Sequence, residues 1–333
     1  MGTFVAFGEV LLRLSPPNRE LLLQTGKLDV WVGGAEANVA TQLARLGHAT
    51  RMVSAVPDNA LGDATIAHLR AAGVDVGAVL RRDGRMGLYF ATPGAGLRAT
   101  DILYDRAWSS FANASAWDWD AILADADGLH LSGITPALGP QNAEAALAAA
   151  KAASRLGVPV SFDGNYRAKL WEAWDSDPRA ILTELVGHAN ILFGNHRDVS
   201  LLLGKTFDGD GPERRREAAE AAFDHFPRLR LVASTARHAA AADHNRITAR
   251  IDLRDQHTQT DELTIASIVD RIGTGDAFAA GVLHAWRSKL DITDVARTGL
   301  ALAALKHSIP GDASLFSQHD IDRFFEGVTD IRR

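Results

Sequence analysis

A carboxylate placed directly behind a glycine turn, at the mouth of an apolar helix, is the strongest chemical feature of this chain. Residues Ile268 to Gly281 read IVDRIGTGDAFAAG. Gly273, Thr274 and Gly275 are small enough for the backbone to bend sharply and approach a ligand closely. From Asp276 the stretch continues as a helix with one apolar face, carried by Ala279, Ala280, Val282, Leu283 and Ala285. Free N–H groups at such a start attract anions. Asp276 then stands beside a ready anion site. It could also be only an N-cap, a position that Asp favours.

A second glycine element reads WVGGAEANVATQLARLG. Gly33 and Gly34 follow Val30 and Val32, and a helix starts just beyond. A ligand could lie against that bare backbone, with the Asn38 amide one turn into the helix aimed at it. The alternative is a packing turn with a surface Asn. Other motifs fail on inspection. Gly204-Lys205-Thr206 imitates the end of a phosphate-binding loop, but Val199 stands where a glycine is required. Val199 and Leu201 to Leu203 read as a packed helix stopped by Gly204. Phe278 occupies the third glycine position of a dinucleotide fingerprint. His238 and His244 lack metal-ligand spacing.

The elements that must position these residues alternate between strand and helix. Strands are expected at Phe4 to Val10, Thr50 to Val56, Gly128 to Leu131, Val158 to Phe162, Ile191 to Phe193 and Leu229 to Ala233. Helices are expected at Glu36 to Leu46, Leu61 to Ala72, Gln141 to Leu156, Arg179 to Gly187, Arg216 to Phe226, Asp276 to Lys289 and Asp294 to Lys306. Such alternation implies an α/β fold, a doubly wound and mostly parallel sheet covered on both faces. Two interruptions without helices, about residues 11–32 and 84–108, are expected to pair as a small β-sheet beside the main body, which the resemblance described below makes a lid. No linker or repeat divides the chain, so residues 1–333 read as a single domain.

Composition bounds the function. The 333 residues are 47% hydrophobic and 23% charged, ordinary globular values. A net charge of −6 implies no general nucleic-acid surface. Arg214-Arg215-Arg216, set among Glu213, Glu217 and Glu220, reads as a solvated helix face. The chain has no cysteine, which excludes disulfides, thiol catalysis and Cys-held metals and fits a reducing, cytoplasmic setting. No apolar run reaches the roughly 18 residues that span a bilayer, so no membrane is expected. The start lacks a basic region and is not expected to be a signal peptide. Ala6 stands where myristoylation after Met1-Gly2 wants Ser or Thr, and Asn113-Ala114-Ser115 is expected to be a chance glycosylation match.

In combination the motifs say more. The Gly33-Gly34 pair with Asn38 and Gly47, then DGNYR at 163–167, GNHRD at 194–198 and GTGD at 273–276, occur in this order. The chain resembles the ribokinase-like (phosphofructokinase-B type) carbohydrate kinases over nearly its whole length. That resemblance implies ATP and Mg²⁺ as cofactors and phosphorylation of a sugar hydroxyl. It makes Asp276 the base that takes the hydroxyl proton, and the N–H groups of Gly273, Thr274 and Gly275 the anion hole for the moving phosphoryl group. It places Asn165, Asn195 and Thr235 with Gly273 and Gly275 on the nucleotide side. Phosphoryl transfer needs positioning and charge neutralisation above all, which such a set supplies. On this reading the cap position doubles as the catalytic position.

The departures are specific. The turn reads Arg271-Ile272-Gly273-Thr274-Gly275-Asp276, where the family more often has Thr-Val-Gly-Ala-Gly-Asp. Pro57 replaces a usual Gly. Asp198 replaces the Glu of the Mg²⁺-associated motif, and its shorter side chain implies metal contact through water. STARHAAAADHN, 234–245, replaces a Gly-rich nucleotide stretch.

LYDRAWSS, DGNYRAKLW and LKHSIPGDAS carry a narrower likeness, to the family's kinases of 2-keto-3-deoxygluconate, an acidic sugar. It implies a sugar site lined by Gly33, Gly34, Asn38, Tyr89, Tyr104, Arg106 and Arg167, with an arginine on the carboxylate. Taken singly, these arginines and tyrosines also fit solvated strand positions or core pairs. The competing functions are a fructokinase or ribokinase, separable by a substrate panel, and a non-catalytic sugar sensor, which would have no use for Asp276. A nicotinamide dehydrogenase is disfavoured by the missing fingerprint. The exposed face of a small sheet is expected to pair with a second copy as a homodimer.

Overall fold

The computed structural model describes residues 2–207 and 211–327, so Met1 of the Met1-Gly2 start lies outside the described residues. The strands are β1 (Thr3–Phe7), β2 (Leu11–Ser15), β3 (Asp29–Gly33), β4 (Thr50–Val56), β5 (Val79–Arg81), β6 (Leu88–Thr92), β7 (Asp101–Asp105), β8 (Ala126–Ser132), β9 (Val160–Asp163), β10 (Ile191–Phe193), β11 (Leu231–Ala241), β12 (His244–Leu253), β13 (His257–Gln259) and β14 (Leu263–Ala266). The helices are α1 (Ala35–Arg45), α2 (Ala60–Ala71), α3 (Trp119–Leu123), α4 (Pro140–Leu156), α5 (Ala168–Trp171), α6 (Pro178–Gly187), α7 (His196–Leu203), α8 (Pro212–His225), α9 (Thr274–Arg287), α10 (Ile292–Lys306) and α11 (Gln318–Phe325).

The large sheet runs β13-β12-β11-β10-β9-β8-β1-β4-β5, with β14 paired to β12. From β11 to β5 every pairing is parallel, and β12, β13 and β14 are antiparallel additions at one edge. The chain winds outward one way from β1 through β4 to β5, then returns and winds the other way from β8 to β11. That reversal leaves a crevice beyond the carboxyl ends of β1 and β8, where open α/β sheets bind ligands.

Alternation along each strand feeds two cores. Val5 and Phe7 of β1 join Leu129, Leu131 and Phe162 under α4 and α6. Phe4 faces the other way and packs with Val39, Leu43, Phe278 and Val282 of α1 and α9. The alanine run of α4 lays Ala146, Ala149, Ala150 and Ala153 flat on the sheet, each fully buried, so this helix sits close. Gly204 ends α7 in the left-handed region at φ 59, which makes Gly204-Lys205-Thr206 a helix stop, as its packing pattern implied.

The second sheet is small and separate, in the order β3-β2-β6-β7. Together with the mostly parallel main sheet it gives the expected doubly wound architecture with an added β-sheet. Three details differ from expectation. First, β11 does not stop at Ala233. It runs to Ala241 as one arm of a long hairpin with β12, and the weakly β-forming alanines are held there by cross-strand pairing. Second, the arginine triplet on α8 is a solvated face only at Arg214, which pairs with the exposed Glu217 at 2.8 Å. Arg215 is buried, and Arg216 bonds Glu220, Asp252 and the Leu253 carbonyl at 2.7, 3.3 and 2.7 Å. Third, α9 begins at Thr274, not at Asp276. Among the described residues no helix is long and apolar enough to cross a membrane.

Candidate active site

The crevice opens into a cleft of about 750 Å³ between the two sheets. Its floor is the start of α9. Gly273 caps that helix at φ 78, in the region where only glycine is unstrained, and a Cβ there would lie 1.7 Å from the Asp312 carbonyl oxygen. The Thr274 hydroxyl donates back to the Arg271 carbonyl at 3.0 Å and tightens the turn. The first intrahelical bond is from Ala277 N–H to the Gly273 carbonyl, at 2.9 Å, so the amides ahead of it are not taken by the helix. A Cβ on Gly275 would meet no atom within 4 Å. The turn is therefore bare where it faces the cleft.

Asp276 is not the cap. Gly273 holds that position, and the Asp276 carboxylate accepts from Asn38 Nδ2 at 2.6 Å. Asn38 is itself buried on α1, so the two glycine elements, far apart in sequence, meet through this bond. Burial pushes the Asp276 carboxyl up to about 7, with Glu36 and Asp312 adding repulsion and with Asn38 and Arg167 opposing. A carboxyl poised near neutrality and held by one amide suits a general base.

A second carboxyl, Asp163 at the end of β9, is pushed up to about 8, first by burial and then by Asp276 and Asp198. Asp198, in the first turn of α7, is also raised by burial. Its Oδ2 accepts from the Asn195 N–H at 2.8 Å while Asn195 Oδ1 accepts from the Arg197 N–H at 2.8 Å, a reciprocal cap. Asp198 thus stands behind the cleft wall, pressed against Gly164 and Gly194. Asn165, Asn195 and Thr235 line the cleft itself. Among the described residues no three acidic, His or Cys side chains form a closed metal cage. Mutually repelling carboxyls with hard oxygen donors fit Mg²⁺, which keeps waters and takes one or two carboxylates together with substrate phosphates.

The far wall comes from the small sheet and from the loop after α10. Gly34, at φ 138, would drive a Cβ to 2.4 Å from the Glu9 carbonyl, and a Cβ on Gly33 would press Asp312 Oδ2 at 2.2 Å. The Tyr89 hydroxyl donates to Asp312, and the Tyr104 ring lies 6.5 Å from the Tyr89 ring. Burial and the Asp312 charge push the Tyr89 hydroxyl well above its ordinary range. Asp312 is raised to about 6 by burial, with Arg13 opposing, whose Nε lies 3.1 Å from Asp312 Oδ1. Arg106 lines the cleft but gives its Nε to Glu9 at 2.6 Å, and Ser109 donates to the other Glu9 oxygen. Arg167 lines the cleft with Nη1 bonded to the Tyr166 carbonyl at 3.2 Å.

The cleft therefore gathers the singled-out residues of both ends, with Gly33 and Asp198 just behind its walls. It also holds groups that sequence reasoning did not single out, Asp163, Asp312, Arg237 and Arg271, and Glu9 stands behind the wall at Arg106. DGNYR contained the signal for Asp163. LKHSIPGDAS likewise contained Asp312, but the partners of Asp312 and Glu9 were not legible, because they come from distant parts of the chain.

The chain belongs to the pfkB family of carbohydrate kinases, which residues 1–318 match. It is a carbohydrate kinase, a phosphotransferase. The 2-dehydro-3-deoxygalactonokinase of Haloferax volcanii is 32% identical over 324 residues, covering 97% of this chain and 96% of that protein. The 2-dehydro-3-deoxygluconokinase of Bacillus subtilis is 27% identical over 315 residues, with 92% and 90% covered. The solved 2-dehydro-3-deoxygluconokinase of Thermotoga maritima superposes with a TM-score of 0.93 at 36% identity, over 98% of this chain and 100% of that one.

Proposed function

We propose that this kinase transfers the γ-phosphoryl group of ATP, with Mg²⁺, to the 6-hydroxyl of 2-keto-3-deoxygluconate (2-dehydro-3-deoxygluconate). The observation that carries the reading is the Asp276 carboxyl, held at 2.6 Å by Asn38 beside the open amides of α9. Asp276 takes the hydroxyl proton, the hydroxyl oxygen bonds to the γ-phosphorus, and the bond to the ADP oxygen breaks. The turn amides stabilise the charge that builds on the phosphoryl oxygens. Bound Mg²⁺ would neutralise the phosphates from the Asp163 and Asp198 side, by direct contact or through water. Tyr89, Tyr104, Arg106, Arg167 and the Gly33-Gly34 backbone hold the sugar, and the small sheet closes over it as a lid. The relatives' names support an acidic 3-deoxy sugar. The Haloferax relative favours a second reading, the C4 epimer 2-keto-3-deoxygalactonate.

The Glu9 contact decides which substitution tests Arg106. Arg106→Ala would strand the buried Glu9 charge, at a cost of about 3–5 kcal/mol in stability. Arg106→Lys keeps a cation for Glu9 but loses the planar fork. It is expected to raise KM for the acidic sugar by roughly 10–100-fold, as charge-assisted hydrogen bonds contribute about 1.5–3 kcal/mol. KM for a neutral counterpart lacking the carboxylate should hardly change, and KM for ATP should not. Equal losses on both sugars would remove Arg106 from the carboxylate.

The small sheet also supports a homodimer. Val30, Leu14, Phe90 and Leu103 are paired across its four strands in one apolar row, on the face away from Tyr89 and Tyr104. Val30 and Leu103 are 58% and 59% exposed. Two such rows back to back would bury them. Light scattering at micromolar concentration should give twice the chain mass, and a monomer would contradict this pairing.

A further inference from the structure

The arginines of this chain are mostly spoken for. Arg13, Arg51, Arg106 and Arg250 each hold a carboxylate at 3.1 Å or less. Arg237 and Arg271 are different. Both line the cleft, Arg237 from β11, two residues beyond Thr235, and Arg271 from the turn that ends in the Gly273 cap. Among the described residues neither guanidinium has an ion-pair or hydrogen-bond partner. They are close enough that the Arg271 charge disfavours that of Arg237, and both disfavour protonation of His307, another cleft residue. Burial lowers each of the two as well. Two like charges without a counter-ion, Arg271 half-buried and Arg237 exposed at the cleft, are an unfavourable arrangement for the empty protein. They become favourable when a polyanion lies between them.

The position decides which anion. The γ-phosphoryl group belongs at the amides of Thr274 and Gly275, so the remaining phosphates of a nucleotide must lead away from that turn. Arg271 flanks the turn on the chain's approach to it, and Arg237 projects beside Thr235. Both positions fall within the two stretches where this sequence departs from the family pattern it otherwise follows: Arg271 in the turn, and Arg237 in 234–245. We infer that Arg237 and Arg271 form a clamp for the nucleotide polyphosphate, supplying by guanidinium forks what this chain lacks in a Gly-rich backbone stretch. The inference rests on the kinase reading above and adds a binding subsite to it. Guanidinium forks match phosphate oxygens bidentately, so the pair sets the phosphate geometry as well as the charge.

Calorimetric titration tests it. Wild type, Arg237→Gln, Arg271→Gln and the double variant would be titrated with ATP and with adenosine, after thermal melting has shown that each is folded. Each single variant should weaken ATP by about tenfold and the double variant by about a hundredfold, while adenosine binds all four alike. KM for the sugar should stay within about twofold in every variant, as neither arginine is placed at the sugar. The inference is overturned if the double variant binds ATP within about twofold of wild type. It is also overturned if adenosine weakens as much as ATP, since that would mark a structural role. A wild type that binds ATP as described but phosphorylates no acidic sugar would overturn the substrate reading and leave the clamp standing. A wild type with no affinity for ATP would overturn both.

Discussion

Asp276→Asn should lower turnover by about 10²–10⁴, the usual worth of a general base, while leaving KM for ATP close to that of the wild type. The amide keeps the shape and can still accept from Asn38, so the fold is preserved. The same carboxyl predicts the pH profile. With its pKa raised to about 7, mainly by burial, Asp276 is protonated and inactive as a base below that value. In the wild type, kcat/KM for the sugar should therefore climb about tenfold per pH unit below 7 and level off above it.

Stability gives an independent check with the opposite sign. The folded pKa of Asp276 lies above its unfolded value of about 3.9, so the native state binds more protons in between. The protonated carboxyl costs little below pH 4. Stability is lost as pH rises from about 4 through 7, and the loss is complete above 7. Asp276→Asn removes that loss, so the ligand-free variant should match wild type near pH 4 and exceed it at pH 8. A shift from 3.8 to about 7 corresponds to a gain on the order of 4 kcal/mol. Urea unfolding at both pH values reads it. A variant that is no more stable at pH 8, or one with near-normal turnover, would remove Asp276 from the role of buried base.

Asp276 was legible as a candidate because GTGD is local. The turn, the helix and the carboxylate lie within a few residues, and their types alone restrict the backbone. Asn38 was legible as a polar residue one turn past a glycine pair, but its bond to Asp276 was not, since it joins α1 to α9. The small sheet announced itself by alternating apolar residues without helix periodicity. Its contact with Asp312 did not, because Gly33 and Tyr89 reach that residue only after β3 and β6 have paired with β2. The arginine triplet misled for a similar reason. Charge order along α8 suggested solvent, whereas β12 supplies Asp252 to Arg216 from across the sheet edge.

Gly273→Ala is expected to be the most damaging change of a single methyl group. The new carbon would lie 1.7 Å from the Asp312 carbonyl oxygen, and alanine resists a φ of 78. Either the start of α9 or the loop at Asp312 must move, and both line the cleft. Misplacing one oxyanion donor costs about 10²–10³ in kcat, and that loss is expected here. Gly47→Ala is the matched control. Gly47 also has a positive φ, 86, but a Cβ there would meet nothing within 4 Å, and it closes α1 away from the cleft. It should cost about 1 kcal/mol or less in stability and nothing in turnover. If Gly273→Ala behaves like Gly47→Ala, the turn is not the phosphoryl cradle.

The central claim is that Asp276 and its cleft phosphorylate an acidic 3-deoxy sugar, and ATP-dependent ADP release measures it directly. The purified chain would be assayed with ATP and Mg²⁺ against 2-keto-3-deoxygluconate, 2-keto-3-deoxygalactonate, fructose and ribose. One or both acidic sugars should give kcat/KM at least about tenfold above either neutral sugar, the worth of one charge-assisted contact to the carboxylate. Fructose or ribose turned over as well as the acids would contradict the claim.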